Sequence, residues 1–138
     1  MLHGCRNSRG RGAHLQATGS RSVGADDLTL VVTDTPASTF GIFYMGLGSG
    51  TSTIGDGIFC TGSAGTGYGN YRYPVVQASP GGTFTMRGFA SHANQHFDLL
   101  GRIQAGSSWH FQIWYRDPAG PCGHAFNTSN GYQVTFTP

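Results

Sequence analysis

The strongest constraint on the fold of this chain is an alternation of apolar and polar residues along two segments near its end. In residues 108–117, one set of side chains is Trp109, Phe111, Ile113 and Tyr115, and the alternate set is His110, Gln112, Trp114 and Arg116. Successive side chains of a β-strand point to opposite faces, so the first set is predicted to face a core and the second to face solvent. Residues 131–137 repeat the pattern with Tyr132, Val134 and Phe136 inward.

Further short strands are predicted along the chain, separated by turns rich in glycine and proline. They cover residues 14–18, 27–33, 39–45, 71–78 and 83–87, and a tight hairpin turn falls at Gly55-Asp56-Gly57. Residues 39–45 are apolar on both faces, which suits a central strand that is covered on each side or faces a partner on one. About eight strands at this spacing predict an all-β fold, an antiparallel β-sandwich of the jelly-roll or immunoglobulin-like kind.

Composition supports the β prediction and bounds the number of domains. The chain has 138 residues, 23 of them glycine, and it contains neither Lys nor Glu, two residues that favour exposed helix. We therefore expect almost no helix, and residues 91–98 are predicted to form a loop. The length fits one domain, predicted at 13–138, after a flexible basic arm at 1–12. Because no basic stripe continues beyond that arm, no nucleic-acid partner is predicted.

Three cysteines leave one unpaired in any disulfide scheme. Cys60 ends an apolar run and Cys122 lies in a Pro/Gly corner, so both are expected at strand ends, where a bridge between sheets is plausible. We predict a Cys60–Cys122 disulfide. Cys5 is then free or bonded to a residue upstream of this sequence.

No catalytic or metal-binding constellation is predicted. His92 and His96 have the i, i+4 spacing of metal ligands on a helix, with Asp98 as a third candidate, but their segment is poor in helix formers. Asp26 and Asp27, with Asp56, could make a calcium site, but their positions at a strand start and in a turn account for these aspartates without an ion. The Cys122-Gly123-His124 sequence does not establish a nucleophile beside its base, and no Gly-x-Ser-x-Gly elbow occurs. The chain is therefore predicted not to be an enzyme and to need no cofactor.

Trp114 is the candidate binding residue, because it falls on the polar face of its strand. An indole flanked by Gln112 and Arg116 could stack against a sugar ring, and Tyr71 and Tyr73 could extend the platform. The alternative is that a loop or a neighbouring subunit covers Trp114.

Several motifs together resemble a family of secreted bacterial β-sandwich domains for which no activity is established. The most specific are W-x-F-Q-x-W-Y-R-D-P-A-G-P-C-G, starting at Trp109, and F-N-x-S-N-G-x-x-V-T-F-T-P, starting at Phe126. Weaker matches occur at residues 22–30, 39–44, 55–60 and 73–75. The resemblance implies export and a β-sandwich appended to larger proteins, usually at their C-terminus. Members of the family usually continue upstream of the Cys5 region.

These observations predict a non-catalytic structural or interaction domain that acts outside the cell or at its surface. No signal sequence occurs in this chain, so we expect it to be a fragment of a longer exported protein. The sheet edges carry no lysine, and self-association by strand pairing is therefore one expected mode. Other surface proteins are the second kind of partner, and a carbohydrate-binding module is the alternative function. No stretch is long and apolar enough for membrane insertion to be expected.

Overall fold

Two antiparallel sheets form the body of the protein in a computed structural model that describes residues 3–48, 52–60 and 70–138. The strands are β1 (His14–Thr18), β2 (Thr29–Thr33), β3 (Phe40–Gly46), β4 (Ser52–Ile54), β5 (Gly57–Phe59), β6 (Tyr71–Arg72), β7 (Val76–Gln77), β8 (Phe84–Arg87), β9 (Ser108–Arg116), β10 (Phe126–Thr128) and β11 (Tyr132–Thr135). One helix, α1 (Phe89–His96), and a 3-10 turn (Leu99–Gly101) lie between β8 and β9.

The smaller sheet has the order β1-β2-β8, and the larger sheet is built around the antiparallel pair β3 and β9. The short strands β10 and β11 both pair with β9, while β6 and β7 pair with β3. The hairpin of β4 and β5 forms a separate two-stranded unit. The predicted all-β sandwich is therefore confirmed.

The core lies between the inner faces of the two sheets and is closed on one side by α1. Each sheet contributes fully buried side chains, and the largest are Leu15, Leu30 and Phe84 from the smaller sheet and Phe43, Met45, Trp109, Phe111, Ile113 and Tyr115 from the larger. The ring of Phe89, at the start of α1, has its centroid 4.8 Å from that of Tyr73 and 5.3 Å from that of Phe111. Every inward residue predicted from the alternation in β9 is thus in this core.

Helix α1 corrects the prediction of a loop at residues 91–98. Its first turn is capped from a distant part of the chain, because the Asp26 carboxylate accepts hydrogen bonds from the backbone amides of Ala90 and Ser91 at 3.1 and 3.3 Å. Phe89 and Ala93 supply the buried face. A cap supplied by a residue 64 positions away leaves no local signal in the sequence. In the described part of the chain, no helix is long and apolar enough to span a membrane.

The N-terminal arm, predicted to be flexible, is packed against the body from residue 4 onward. Asn7 is 2% exposed, and its side-chain amide donates to the Asp34 carbonyl at 2.7 Å and to the Tyr115 hydroxyl at 3.1 Å. The Arg9 guanidinium donates to the carbonyls of Thr35 and Gly81. Arg9 of the arm therefore bonds to backbone carbonyls of the sandwich, although the arm was interpreted as a solvated tail.

The structure has no disulfide between Cys60 and Cys122, and both are free thiols, as is Cys5. β5 runs alongside β10: Asp56 bonds to Phe126, Ile58 to Thr128, and the Cβ of Cys60 lies beside Gly131. Cys122 precedes the start of β10 and is exposed. Since a strand rises about 3.3 Å per residue, the two cysteines lie at opposite ends of a path on the order of 15 Å, whereas a disulfide needs Cα atoms within about 7 Å.

Candidate functional site

The outer face of the larger sheet is the surface on which Trp114 lies. In the β3–β9 register, Ile42 is opposite Trp114 and Tyr44 is opposite Gln112, and paired residues share a face. The face is divided by the β4–β5 hairpin, which lies over one part of it and leaves the other part open. The two parts, called here the covered half and the open half, have different chemistry.

Gln112 is the centre of the covered half and is fully buried. Its Oε1 accepts hydrogen bonds from the Tyr44 hydroxyl and, at 2.9 Å, from the Cys60 amide. Its Nε2 donates to the carbonyls of Ile58 at 2.5 Å and Ser129 at 2.6 Å. Gln112 therefore ties β5 and the chain after β10 to the sheet. The predicted role of Gln112 as an exposed ligand-binding residue does not fit this position.

Burial acts on the ionisable groups that surround Gln112. It raises the pKa of the Tyr44 hydroxyl well above its usual value. It also raises the pKa of the Cys60 thiol, against the smaller opposing effect of hydrogen bonds from Gly131 and Gln112. Both groups stay neutral at physiological pH, so the covered half offers a hydrogen-bonded seal and no thiolate nucleophile.

Trp114 is the centre of the open half and is partly exposed. The Arg116 guanidinium lies over the indole, 5.3 Å from the ring centroid, and the Phe126 ring is tilted by 37° with its centroid also 5.3 Å away. Ile42 is half-buried beside Trp114, and Phe40, two residues earlier on β3, is 53% exposed. We refer to Phe40, Ile42, Trp114, Arg116 and Phe126 as the Trp114 patch.

The two tyrosines predicted to extend a Trp114 platform lie on the other face of the sheet. Tyr71 pairs with the buried Met45, and the Tyr73 amide donates to the Phe43 carbonyl. Tyr73 is 3% exposed, and burial raises the pKa of its hydroxyl, which donates to the Phe89 carbonyl at 3.1 Å. Tyr71 donates its hydroxyl to Asp98 at 2.9 Å. The structure therefore brings Arg116, but neither tyrosine, to Trp114.

The histidine pair of α1 does not form a metal site with Asp98. His92 and His96 do share a helical face, with ring centroids 4.5 Å apart. Asp98, however, caps the 3-10 turn by accepting from the amides of Leu100 and Gly101 and also accepts from Tyr71. Within residues 3–48, 52–60 and 70–138, no three His, Cys or Asp side chains come together around a common point.

His124 has an acidic partner but no nucleophile. Its Nδ1 lies 2.7 Å from Oδ1 of Asp56, whose side chain is fully buried. Among the described residues, no hydroxyl or thiol group forms a hydrogen bond with His124, and Cys122 is exposed. The arrangement can orient an imidazole, but it does not supply the attacking group of a covalent mechanism. That the domain is not an enzyme stays a prediction.

Comparison with known proteins does not assign this surface. No protein-family model matches the chain, and no curated protein sequence matches it significantly. The resemblance to secreted bacterial β-sandwich domains stays a prediction.

Three members of the Trp114 patch were not predicted as site residues: Phe40, Ile42 and Phe126. A signal for the first two exists in the sequence, because β3 is apolar on both faces, which fits a strand that faces a partner on one side. Phe126 carries no such signal, since the short strand β10 occupies a stretch that reads as a polar turn.

Proposed function

We propose that this domain is a non-catalytic interaction module that acts outside the cell or at its surface and docks onto other proteins through the Trp114 patch. The observation that carries the proposal is the partly open cluster of Phe40, Ile42 and Trp114 on an otherwise hydrogen-bonded sheet face. Contiguous exposed apolar surface on a soluble domain is typical of interaction sites. Tryptophan and arginine are both enriched among the residues that dominate protein–protein binding energy.

The packing around Trp114 favours a protein over a sugar as the ligand. Sugar stacking requires a free face of the indole, but the guanidinium of Arg116 already lies over the ring. The tilted ring of Phe126 makes the surface uneven next to it. A protein side chain can fit between these groups, whereas a pyranose ring stacked on this face of the indole would have to displace Arg116.

The face of the sheet is also better suited to association than its edges. On one edge, β6 and β7 are two residues each and are separated by Pro74, which has no amide proton. On the other, β5 lies against β10, with the Ile58 amide bonded to the Thr128 hydroxyl at 3.0 Å. These edge segments are short, interrupted or covered, which opposes strand pairing between copies through them. We therefore place self-association on the Trp114 patch, with a second copy of the chain as the first partner to test.

Phe40→Glu tests the proposal without disturbing the core, because Phe40 is half exposed. Leu100→Glu is the matched control, since Leu100 is an exposed apolar residue of the 3-10 turn at 73% exposure, and it pairs with no strand of the sheet. We expect sedimentation velocity between about 10 μM and 1 mM to show association of the wild-type protein and of Leu100→Glu. The Phe40→Glu variant should associate at least about tenfold more weakly, since a central contact contributes 1–2 kcal/mol or more.

Two results would contradict this proposal. A wild-type protein that stays monomeric throughout the range, or equal weakening by both substitutions, excludes the Trp114 patch as a self-association surface. Binding on a glycan array that Trp114→Ala abolishes while the melting profile remains cooperative would instead establish the carbohydrate-binding alternative.

A further inference from the structure

A second site is indicated at the corner formed by residues 117–125, where two aspartates are buried close together. The side chain of Asp56 and the whole of Asp117 are inaccessible to solvent. A Cβ placed on Gly120 would lie 3.1 Å from Oδ2 of Asp117 and closer still to Oδ2 of Asp56, so these two oxygens are less than twice 3.1 Å apart. The backbone carbonyl of Asp117 lies 3.0 Å from the same point.

The hydrogen bonds and ion pairs of these carboxylates leave oxygens unsatisfied. Oδ1 of Asp56 contacts His124 at 2.7 Å, and Oδ2 of Asp117 accepts from the Ser8 amide at 2.9 Å. Oδ2 of Asp56 and Oδ1 of Asp117 have no hydrogen-bond partner among the described residues, although both are buried. Within the same part of the chain, no arginine forms an ion pair with either aspartate.

Burial of two carboxylates is unfavourable when only Asp56 contacts an imidazole and Asp117 pairs with no basic side chain of the described residues, because a buried charge needs a partner that replaces its hydration. We propose that this corner binds a divalent cation of the calcium type through the carboxylates of Asp56 and Asp117. Calcium coordinates six to eight oxygens at about 2.3–2.6 Å, and it accepts carboxylates, carbonyls and water in irregular arrangements. Oxygens that bind one such ion lie up to about 5 Å apart, a separation that the positions of Asp56 Oδ2 and Asp117 Oδ2 around Gly120 allow.

The chemistry of the corner selects calcium over transition metals. The unsatisfied atoms of this corner are all oxygens, and the one imidazole nearby, that of His124, already contacts Oδ1 of Asp56 through its Nδ1. Zinc sites in proteins are instead built from three or four nitrogen and sulfur ligands. With two carboxylates in the set, we expect dissociation constants of about 0.1–1 mM, as in extracellular calcium modules.

Thermal unfolding and calorimetric titration of the wild-type protein test the proposal directly. In buffer stripped of metals, 10 mM CaCl₂ should raise the midpoint of unfolding by about 5 °C or more, because the ion binds only the folded state. Isothermal titration should show one site per chain, and MgCl₂ at the same concentration should have a smaller effect.

Two variants locate the site, and a third is the matched control. Asp117→Asn removes one anionic ligand, and Gly120→Ala places a methyl group where the carboxylate oxygens converge; each should weaken calcium binding at least tenfold. Asp34→Asn removes an aspartate that pairs with Arg11 on the surface and should bind calcium as the wild type does.

Absence of both a thermal shift and binding heat in the wild-type protein overturns the proposal, and so does undiminished binding in Asp117→Asn and Gly120→Ala. If neither variant folds, the wild-type titration alone decides. The outcome of the calcium experiments does not depend on whether the Trp114 patch mediates association, which the comparison of Phe40→Glu with Leu100→Glu tests separately.

Discussion

The covered half and the open half of the outer sheet face lie on the same strands and follow the same alternation, yet they differ in what meets them. Gln112 is fully buried under residues 58–60, whereas Trp114, two residues further along β9, is partly exposed. The covered half is held by hydrogen bonds, and the open half consists of apolar, aromatic and guanidinium groups. The difference shows that a polar residue on an outer face can be structural, while the large apolar residue beside it is the one that solvent reaches.

The largest effect on stability is expected from Gln112→Leu, which removes the hydrogen bonds that hold β5 over the covered half. The substitution removes the hydrogen bonds that the Gln112 side chain makes with the amide of Cys60, the hydroxyl of Tyr44 and the carbonyls of Ile58 and Ser129. We expect a loss of about 3 kcal/mol or more in the free energy of unfolding, because buried polar groups would be left unsatisfied. Thermal denaturation should show a fall in the midpoint on the order of 10 °C.

Gln133→Leu is the control for that substitution. Gln133 lies on β11 opposite His110 and is exposed, so its replacement should change stability by no more than about 0.5 kcal/mol. A Gln112→Leu variant as stable as Gln133→Leu would mean that the hairpin does not seal this half of the face.

A smaller effect is expected from Trp114→Ala in the open half. The indole loses its contacts with Phe126 and Arg116, and because it is only partly buried the cost should be about 1–2 kcal/mol. Urea denaturation measures the change. A loss as large as that of Gln112→Leu would contradict the division of the face, because it would make Trp114 a core residue.

The smallest effect on stability is expected from lowering the pH, which protonates histidines that lie outside the Trp114 patch. The pKa of His92 is lowered below its usual 6.5, first by burial and then by the neighbouring His96, and burial also lowers the pKa of His110. The unfolded chain therefore binds protons more readily than the folded one, so stability should fall as the pH drops below 6.5 and be fully retained above it. The patch itself contains only Arg116 as a charged group, so association should not follow this titration.

Urea denaturation at pH 7.5 and 5.5 measures this loss. His96→Gln removes the neighbouring charge and should reduce the loss between the two pH values, whereas Gln95→Asn, at an exposed position of the same helix, should not. Equal losses in both variants would contradict the coupling between His92 and His96.

The sandwich itself could be predicted from the sequence because its signal is local. The period of two in β9 and β11 places each inward residue correctly, and Pro74 divides the predicted strand at 71–78 into β6 and β7. The hairpin turn was placed at the right residues, although its positive φ angle falls on Gly55 and not on Asp56.

The parts that the sequence did not predict depend on contacts between distant segments. The alternation in β9 predicts that Gln112 is exposed, but contacts with Cys60, 52 residues earlier in the chain, bury it. The same holds for α1, whose first turn is capped by Asp26, and for Tyr73, which was predicted to extend the Trp114 platform but lies on the inner face. For the candidate site, local patterning therefore identified Trp114 and Arg116, and only the sheet register adds Phe40, Ile42 and Phe126.

The two indoles of the protein offer the most direct measurement of the central claim, that the open half is the docking surface. Trp109 is 1% exposed in the core, whereas Trp114 lies in the patch, so their indole N–H signals in an NMR spectrum report on the two environments separately. Between about 20 μM and 1 mM protein, we expect the Trp114 signal to shift or broaden while that of Trp109 stays in place, since dissociation constants in this range correspond to binding free energies of about 4–6 kcal/mol. Two stationary signals, or shifts confined to amides of the edge strands, would contradict the account.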